Sequence, residues 1–197
     1  MIKKGFIFTF TLFCFVCHGQ NFKANALIGL STSQVSSDGL GGFDKYGLKL
    51  GASVNYNLNK ATRSEFSMYY IDKGSNNVNS LFQIDLSYIE SSFTIQKSRK
   101  GFIYEGGVSF GVLIDGITYN NNGNQDRELS LFNSFDIGAI LGVGIKLKEN
   151  IYLFGELSNT LPLFPIQEHP DGISYQLNKG KYNSVFSFSL RYLLSKN

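Results

Sequence analysis

Ten charged residues are the first candidates for chemistry: Lys49, Arg63, Glu65, Asp85, Glu90, Glu105, Asp136, Lys146, Glu156 and Arg191. They fall on the polar face of segments that alternate apolar and polar residues. In 135–147, FDIGAILGVGIKL, every odd position is apolar, while Asp136 and Lys146 share the even face with glycines. Carboxylates held close together can divide acid and base roles when their surroundings push their pKa values apart. Buried carboxylates facing buried cations do something plainer. They neutralise one another, because a charge taken out of water must be paired. We read the ten residues as a salt-bridged polar network of this second kind, with Arg191–Glu156 and Lys146–Glu105 as the expected pairs.

The remaining chemistry is sparse. Beyond the first nineteen residues the chain has a single histidine, His169, in the run EHPDG. A general base of this type needs its imidazole within hydrogen-bond reach of a nucleophile. Ser174 is near in sequence, and Glu168 or Asp171 could orient the ring, but a proline-flanked solvated turn accounts for the same residues. Glu168, His169 and Asp171, or Asp115 and Asp126 with the asparagines between them, offer oxygens to a divalent cation without a recognised ligand spacing. The glycines of GLGG at 39–42 are followed by no helix whose N-terminus could cradle a phosphate. We therefore assign no catalytic, cofactor-binding or metal-ligating residues, and expect a protein that is not an enzyme and has no cofactor.

The elements that must position the charged residues are strands. A period of two places alternate side chains on opposite faces. Eight such runs follow in order: 22–34, 46–58, 63–73, 81–96, 102–114, 135–147, 151–160 and 182–194. Several are longer than the usual strand of about 5–6 residues. Thirteen residues at about 3.3 Å each, tilted near 45°, cross roughly the 30 Å of a bilayer core. The connections alternate long and short, as in an outer-membrane barrel with short periplasmic turns and longer external loops. In 81–96 the phase slips: Phe82, Ile84, Leu86 and Tyr88 are even, whereas Phe93 and Ile95 are odd. Taking all six as outward requires a β-bulge between Tyr88 and Ser91.

A soluble eight-stranded ligand-binding barrel, with the faces reversed, is the structural rival. Long strands, the absence of tryptophan, and glycines on the polar face (Gly47, Gly51, Gly107, Gly111, Gly138, Gly142, Gly144) argue against it. Facing the lumen of a narrow barrel, these glycines make room for larger neighbours. The outward aromatics Tyr46, Tyr56, Tyr70, Phe82, Phe93, Phe102, Tyr104, Phe135 and Tyr192 lie near strand ends, as an interfacial girdle requires.

Composition agrees. Lys3 and Lys4 precede an apolar core at 6–16, with Cys17 and Gly19 as small residues before Gln20, so residues 1–19 read as a cleaved secretory signal peptide and 20–197 as the barrel. Both cysteines leave with that segment, which removes disulfide and thiolate chemistry. Of 18 basic residues two leave as well, so the remainder carries 16 bases against 15 acids. No clustered basic stripe suggests nucleic acid. No run of roughly eighteen apolar residues suggests a membrane helix.

The runs KGS after the third strand, DLSYIE in the fourth, FDIGAILGVGIKL in the sixth and NSVFSFSLRY in the eighth resemble the PorT-type outer-membrane β-barrel family of Bacteroidetes. The resemblance spans essentially the whole chain after the leader and implies the fold more strongly than a function. Two positions depart from it. Ser91 and Ser92 stand where such proteins often carry a proline, and 194–197, LSKN, lacks the usual terminal aromatic. The sequence thus leads to an all-β, eight-stranded antiparallel up-and-down transmembrane β-barrel with a filled polar interior, in the outer membrane of a Gram-negative bacterium. The expected role is structural or interactive, without an open pore, in contact with outer-membrane lipid and with surface or secretion-machinery partners through external loops 115–131 and 161–181. An accessory part in protein secretion is the alternative, and a lipid-modifying enzyme the third reading.

Overall fold

The computed structural model describes residues 22–36, 42–76, 82–119, 122, 124–126, 131–169 and 178–194. The expected leader at 1–19 and most of GLGG therefore lie outside the described residues. The strands are β1 (Phe22–Ser36), β2 (Lys45–Asn57), β3 (Thr62–Asn76), β4 (Gln83–Arg99), β5 (Phe102–Tyr119), β6 (Gln125–Asp126), β7 (Phe135–Lys148), β8 (Ile151–Thr160), β9 (Gln167–Glu168) and β10 (Gly180–Leu193). Eight of them are the long staves. They pair in the order β1-β2-β3-β4-β5-β7-β8-β10, and β10 returns to β1, closing the sheet. Every pairing is antiparallel. The seam matches Asn25 with Leu193 and Ser36 with Tyr182, so no stave is left with an open edge. The two-residue strands β6 and β9 add to β5 and β10 above the long-loop end.

Alternation along each stave divides the wall. Leu30, Tyr46, Met68, Val108, Leu141 and Phe188 are exposed on the outside. Lys49, Glu65, Glu90, Glu105, Asp136, Glu156 and Arg191 are buried inside. This inversion of the ordinary soluble pattern suits a protein whose outer face meets hydrocarbon and whose narrow lumen is filled by side chains. Phe22–Tyr56 and Phe102–Tyr104 put aromatic rings at the short-turn end, and stacked Phe110–Phe135 lie towards the other end.

One face assignment is reversed. Strand β4 keeps a single phase throughout: Ile84, Leu86, Tyr88, Glu90, Ser92, Thr94 and Gln96 all point inward and are buried. Ile84, Leu86 and Tyr88 are therefore lumenal, not lipid-facing as the hydrophobic pattern suggests. They pack with Val35, Ile71, Phe132, Ile166 and Val185 as an apolar plug in the external mouth, against which Phe82 also lies. The register does slip at this height, but the extra residue belongs to the neighbour. Ser87 pairs with Asp115 and Tyr88 with Leu113, which leaves Ile114 of β5 unmatched.

Glycines on the inner face do make room. A Cβ on Gly142 would stand 2.5 Å from a Glu105 oxygen, and one on Gly144 would stand 2.5 Å from the Phe154 ring. Phe154 is fully buried and cannot swing aside within a packed lumen. Gly144→Val should therefore destabilise the barrel by about 1–3 kcal/mol, the usual cost of overpacking. Urea unfolding of the refolded protein, followed by loss of its fast-migrating unboiled band, measures this. An unchanged midpoint would mean that the wall at Gly144 is slack.

Candidate functional site: the lumenal charge network

The strongest concentration of ionisable side chains is the lumen itself. It draws on every stave except β1, with three charged residues (Arg63, Glu65 and Lys73) from β3, and only every second residue of a stave can enter. At its centre Arg191 of β10 donates from Nη1 to Glu65 at 2.6 Å and Glu105 at 3.1 Å. From Nη2 it donates to Glu105 and Glu156, both at 3.0 Å. The guanidinium lies 3.7 Å from the centre of the Phe154 ring. A planar fork with five donors suits three carboxylates where a lysine would not.

The network extends both ways from Arg191. Towards the short turns, Gln96 donates to Glu105 at 2.8 Å and accepts from Nε of Arg63, whose guanidinium also sits 5.4 Å above the Tyr152 ring. Towards the external mouth, Lys49 bonds Glu156 at 2.8 Å and caps the Tyr69 ring at 4.4 Å. The Tyr69 hydroxyl donates to Glu90 at 2.6 Å. Lys73 then joins Glu90 at 2.5 Å to Asp136 at 2.9 Å, and Asp136 accepts from Thr160 at 2.7 Å and Asn183 at 2.8 Å. An unbroken polar chain thus runs from Arg63 to the foot of the apolar plug.

Eight of the ten sequence candidates are joined in this chain: Lys49, Arg63, Glu65, Glu90, Glu105, Asp136, Glu156 and Arg191. The expected Arg191–Glu156 pair is present at 3.0 Å. Lys146 and Asp85 are elsewhere. Lys146 is exposed at the short-turn rim, where the β7–β8 register slips beside it, and Glu105 is bonded to Arg191 instead. Asp85 sits on the outer wall above the apolar band, paired with Lys45 at 2.6 Å beside Asp72 and Ser87. Its displacement follows from the reversed phase of β4. Lys73 is a charged member of the network that the ten candidates do not include, although it shares the odd, inward parity of Arg63 and Glu65. Tyr69, Gln96 and Asn183 carry no charge and gave no comparable signal.

The arrangement pairs charge and fills space; each buried carboxylate is engaged by a cation or a hydrogen-bond donor. His169 meets Asn178 at 3.2 Å, while Asp171 and Ser174 lie outside the described residues. Among the described residues no three of His, Cys, Asp and Glu gather as a metal site.

No family model matches the chain, and no curated protein matches it. Solved structures do. Neisserial surface protein A superposes with a TM-score of 0.52 at 16% identity, covering 87% of this chain and 96% of that one. The attachment invasion locus protein Ail of Yersinia pestis gives 0.52 at 11% identity, covering 87% and 98%. At such identities the likeness is one of fold: a small eight-stranded bacterial outer-membrane β-barrel.

Removing one partner from a buried pair costs far more than the pair contributes, about 3–5 kcal/mol, because the other charge is stranded. Lys73→Met should lower stability by that amount. Adding Glu90→Gln and Asp136→Asn should recover much of the loss, since the stranded charges disappear as well. Denaturant midpoints of the single and triple variants check this. A triple variant less stable than Lys73→Met would show that the side chains are held for their shape and hydrogen bonds, not for charge balance.

Proposed function

We propose that this is a small integral outer-membrane protein with a structural or surface-interaction role, closed to solutes, that meets its partners through its external loops. The observation that carries the reading is the doubly blocked lumen. The charge network fills the shaft, and the plug around Ile84, Leu86, Tyr88, Phe132 and Ile166 fills the external mouth. A barrel of this kind has only its surfaces left to work with. Segment 161–169 is tied across the mouth: Ile166 is buried in the plug, Tyr182 donates to the Pro162 carbonyl, and Asn133 to that of Pro165. The same segment leaves Leu163 and Phe164 uncovered beside the outward Phe110 and Phe135, at the rim of the wall. A pinned loop that displays apolar side chains is suited to contact. The fold likeness to a neisserial surface protein and to an attachment invasion locus protein supports the same direction.

The resemblance to the PorT type favours an accessory part in protein secretion as the second reading. However, the DLSYIE run that carries much of it lies in β4, where Leu86, Tyr88 and Glu90 are buried in the lumen. It therefore supports a shared way of filling a barrel more than a shared partner.

In planar bilayers the purified protein should give no stable conductance steps. In cells, Leu163→Ser with Phe164→Ser should weaken capture of surface partners by intact bacteria while leaving the heat-modifiable band in place. Steady ion conductance would overturn the closed barrel. Loss of an exported protein from the medium on deletion, with surface capture unchanged, would favour the secretion reading.

A further inference from the structure

The two ends of the barrel differ sharply in charge. Around the short-turn rim Lys60, Lys97, Arg99, Lys100, Lys146 and Lys148 are all exposed, and Glu149 is the acid among them in the described residues. At the long-loop end acids prevail among the described residues, with Asp44, Asp72, Asp85, Asp115 and Glu168 against Lys45, Lys179 and Lys181. Among the described residues the basic excess thus lies at the short-turn, periplasmic side.

Part of it faces sideways, towards the membrane. The outward residues of β4 run Phe93, Ile95, Lys97, Arg99, so two apolar side chains give way to two cations along one lipid-facing row. Across the ladder Lys97 is matched with Tyr104 and Arg99 with Phe102, both exposed on the same wall. Lys97, Arg99, Lys100 and Tyr104 line a cleft of about 460 Å³. The tight turn holds Lys100 at φ 52°, a conformation rare outside glycine, which adds a third cation to the cleft.

We propose that this cleft binds the phosphate of an anionic phospholipid in the periplasmic leaflet, with the lipid's glycerol and upper acyl chain against Tyr104 and Phe102. Long basic side chains lay their methylenes on apolar surface and carry the charge to the headgroup level. Each one near an anionic membrane surface is worth roughly a fivefold preference. A soluble anionic partner would be met by cations projecting below the rim. Lys97 and Arg99 instead stand on the wall, in line with the residues that touch acyl chains.

The absence of tryptophan from the chain provides the test. Phe102→Trp places one reporter beside the cleft, and Tyr46→Trp places one on the outer wall of β2 at the opposite end. The full-length protein is refolded into phosphatidylcholine vesicles containing a minor fraction of phosphatidylglycerol. Either lipid carries bromines near the headgroup end of its chains. Brominated phosphatidylglycerol should quench the Phe102→Trp reporter severalfold more per molecule than brominated phosphatidylcholine, and the Tyr46→Trp reporter equally with both. Adding Lys97→Gln, Arg99→Gln and Lys100→Gln should abolish the preference without losing the gel shift of the folded barrel. Equal quenching by both lipids at Phe102→Trp, or the same preference at Tyr46→Trp, would overturn the proposal. So would loss of the preference on adding inorganic phosphate but not chloride of equal ionic strength, which would assign the cleft to free phosphate.

Discussion

Closing eight strands into a ring leaves a shaft that only side chains can fill, and the shaft is lined by every second residue of each stave. That constraint makes Arg191 decisive. Its guanidinium reaches Glu65 on β3, Glu105 on β5 and Glu156 on β8, so one side chain on β10 ties together strands on opposite sides of the ring. None of these acids could stay ionised alone in such a place, since desolvating a carboxylate costs several kcal/mol even after relaxation. The glycines of β7 follow from the same crowding. Gly142 leaves space for the Glu105 carboxylate, and Gly144 leaves space for the Phe154 ring on which Arg191 lies.

Above this centre the filling changes character. Lys73, Glu90 and Asp136 continue the charge pairing, and then polar residues give way to Ile84, Leu86, Val35 and Val185. The lumen is therefore a polar shaft with an apolar stopper, and the loop residues Phe132 and Ile166 complete the stopper from outside. External segments so tied to the stopper are part of the barrel's packing.

The strand count, the order and the closure could be read from alternation and from the long-short rhythm of the connections. The end residues of most staves moved by only one to three positions. Strand β5 moved most, running on to Tyr119 where a loop is expected from Asp115. The polar interior was legible for the same reason: in a period of two, a charge among leucines has one face available to it. Depth along the shaft was not legible. Lys146 has lumenal parity but lies beyond the end of the lumen, where water reaches it. The face of β4 departs from the usual rule, apolar outward, because the stopper places Ile84, Leu86 and Tyr88 inside, and Asp85 turns outward with the same phase. Pairings across the lumen, such as Lys73 with Asp136, join strands that are not neighbours in the sheet, and no periodicity encodes them.

The position of Arg191 in the chain also bears on how the ring can shut. Its partners lie 126, 86 and 35 residues earlier. The strand that carries it is the one that zips against β1 to close the seam. Without β10 in place, Glu65 and Glu105 lack the guanidinium that pairs them, while Glu156 still has Lys49 of β2. The last stave thus brings the counter-charge for Glu65 and Glu105 together with the final ladder of hydrogen bonds.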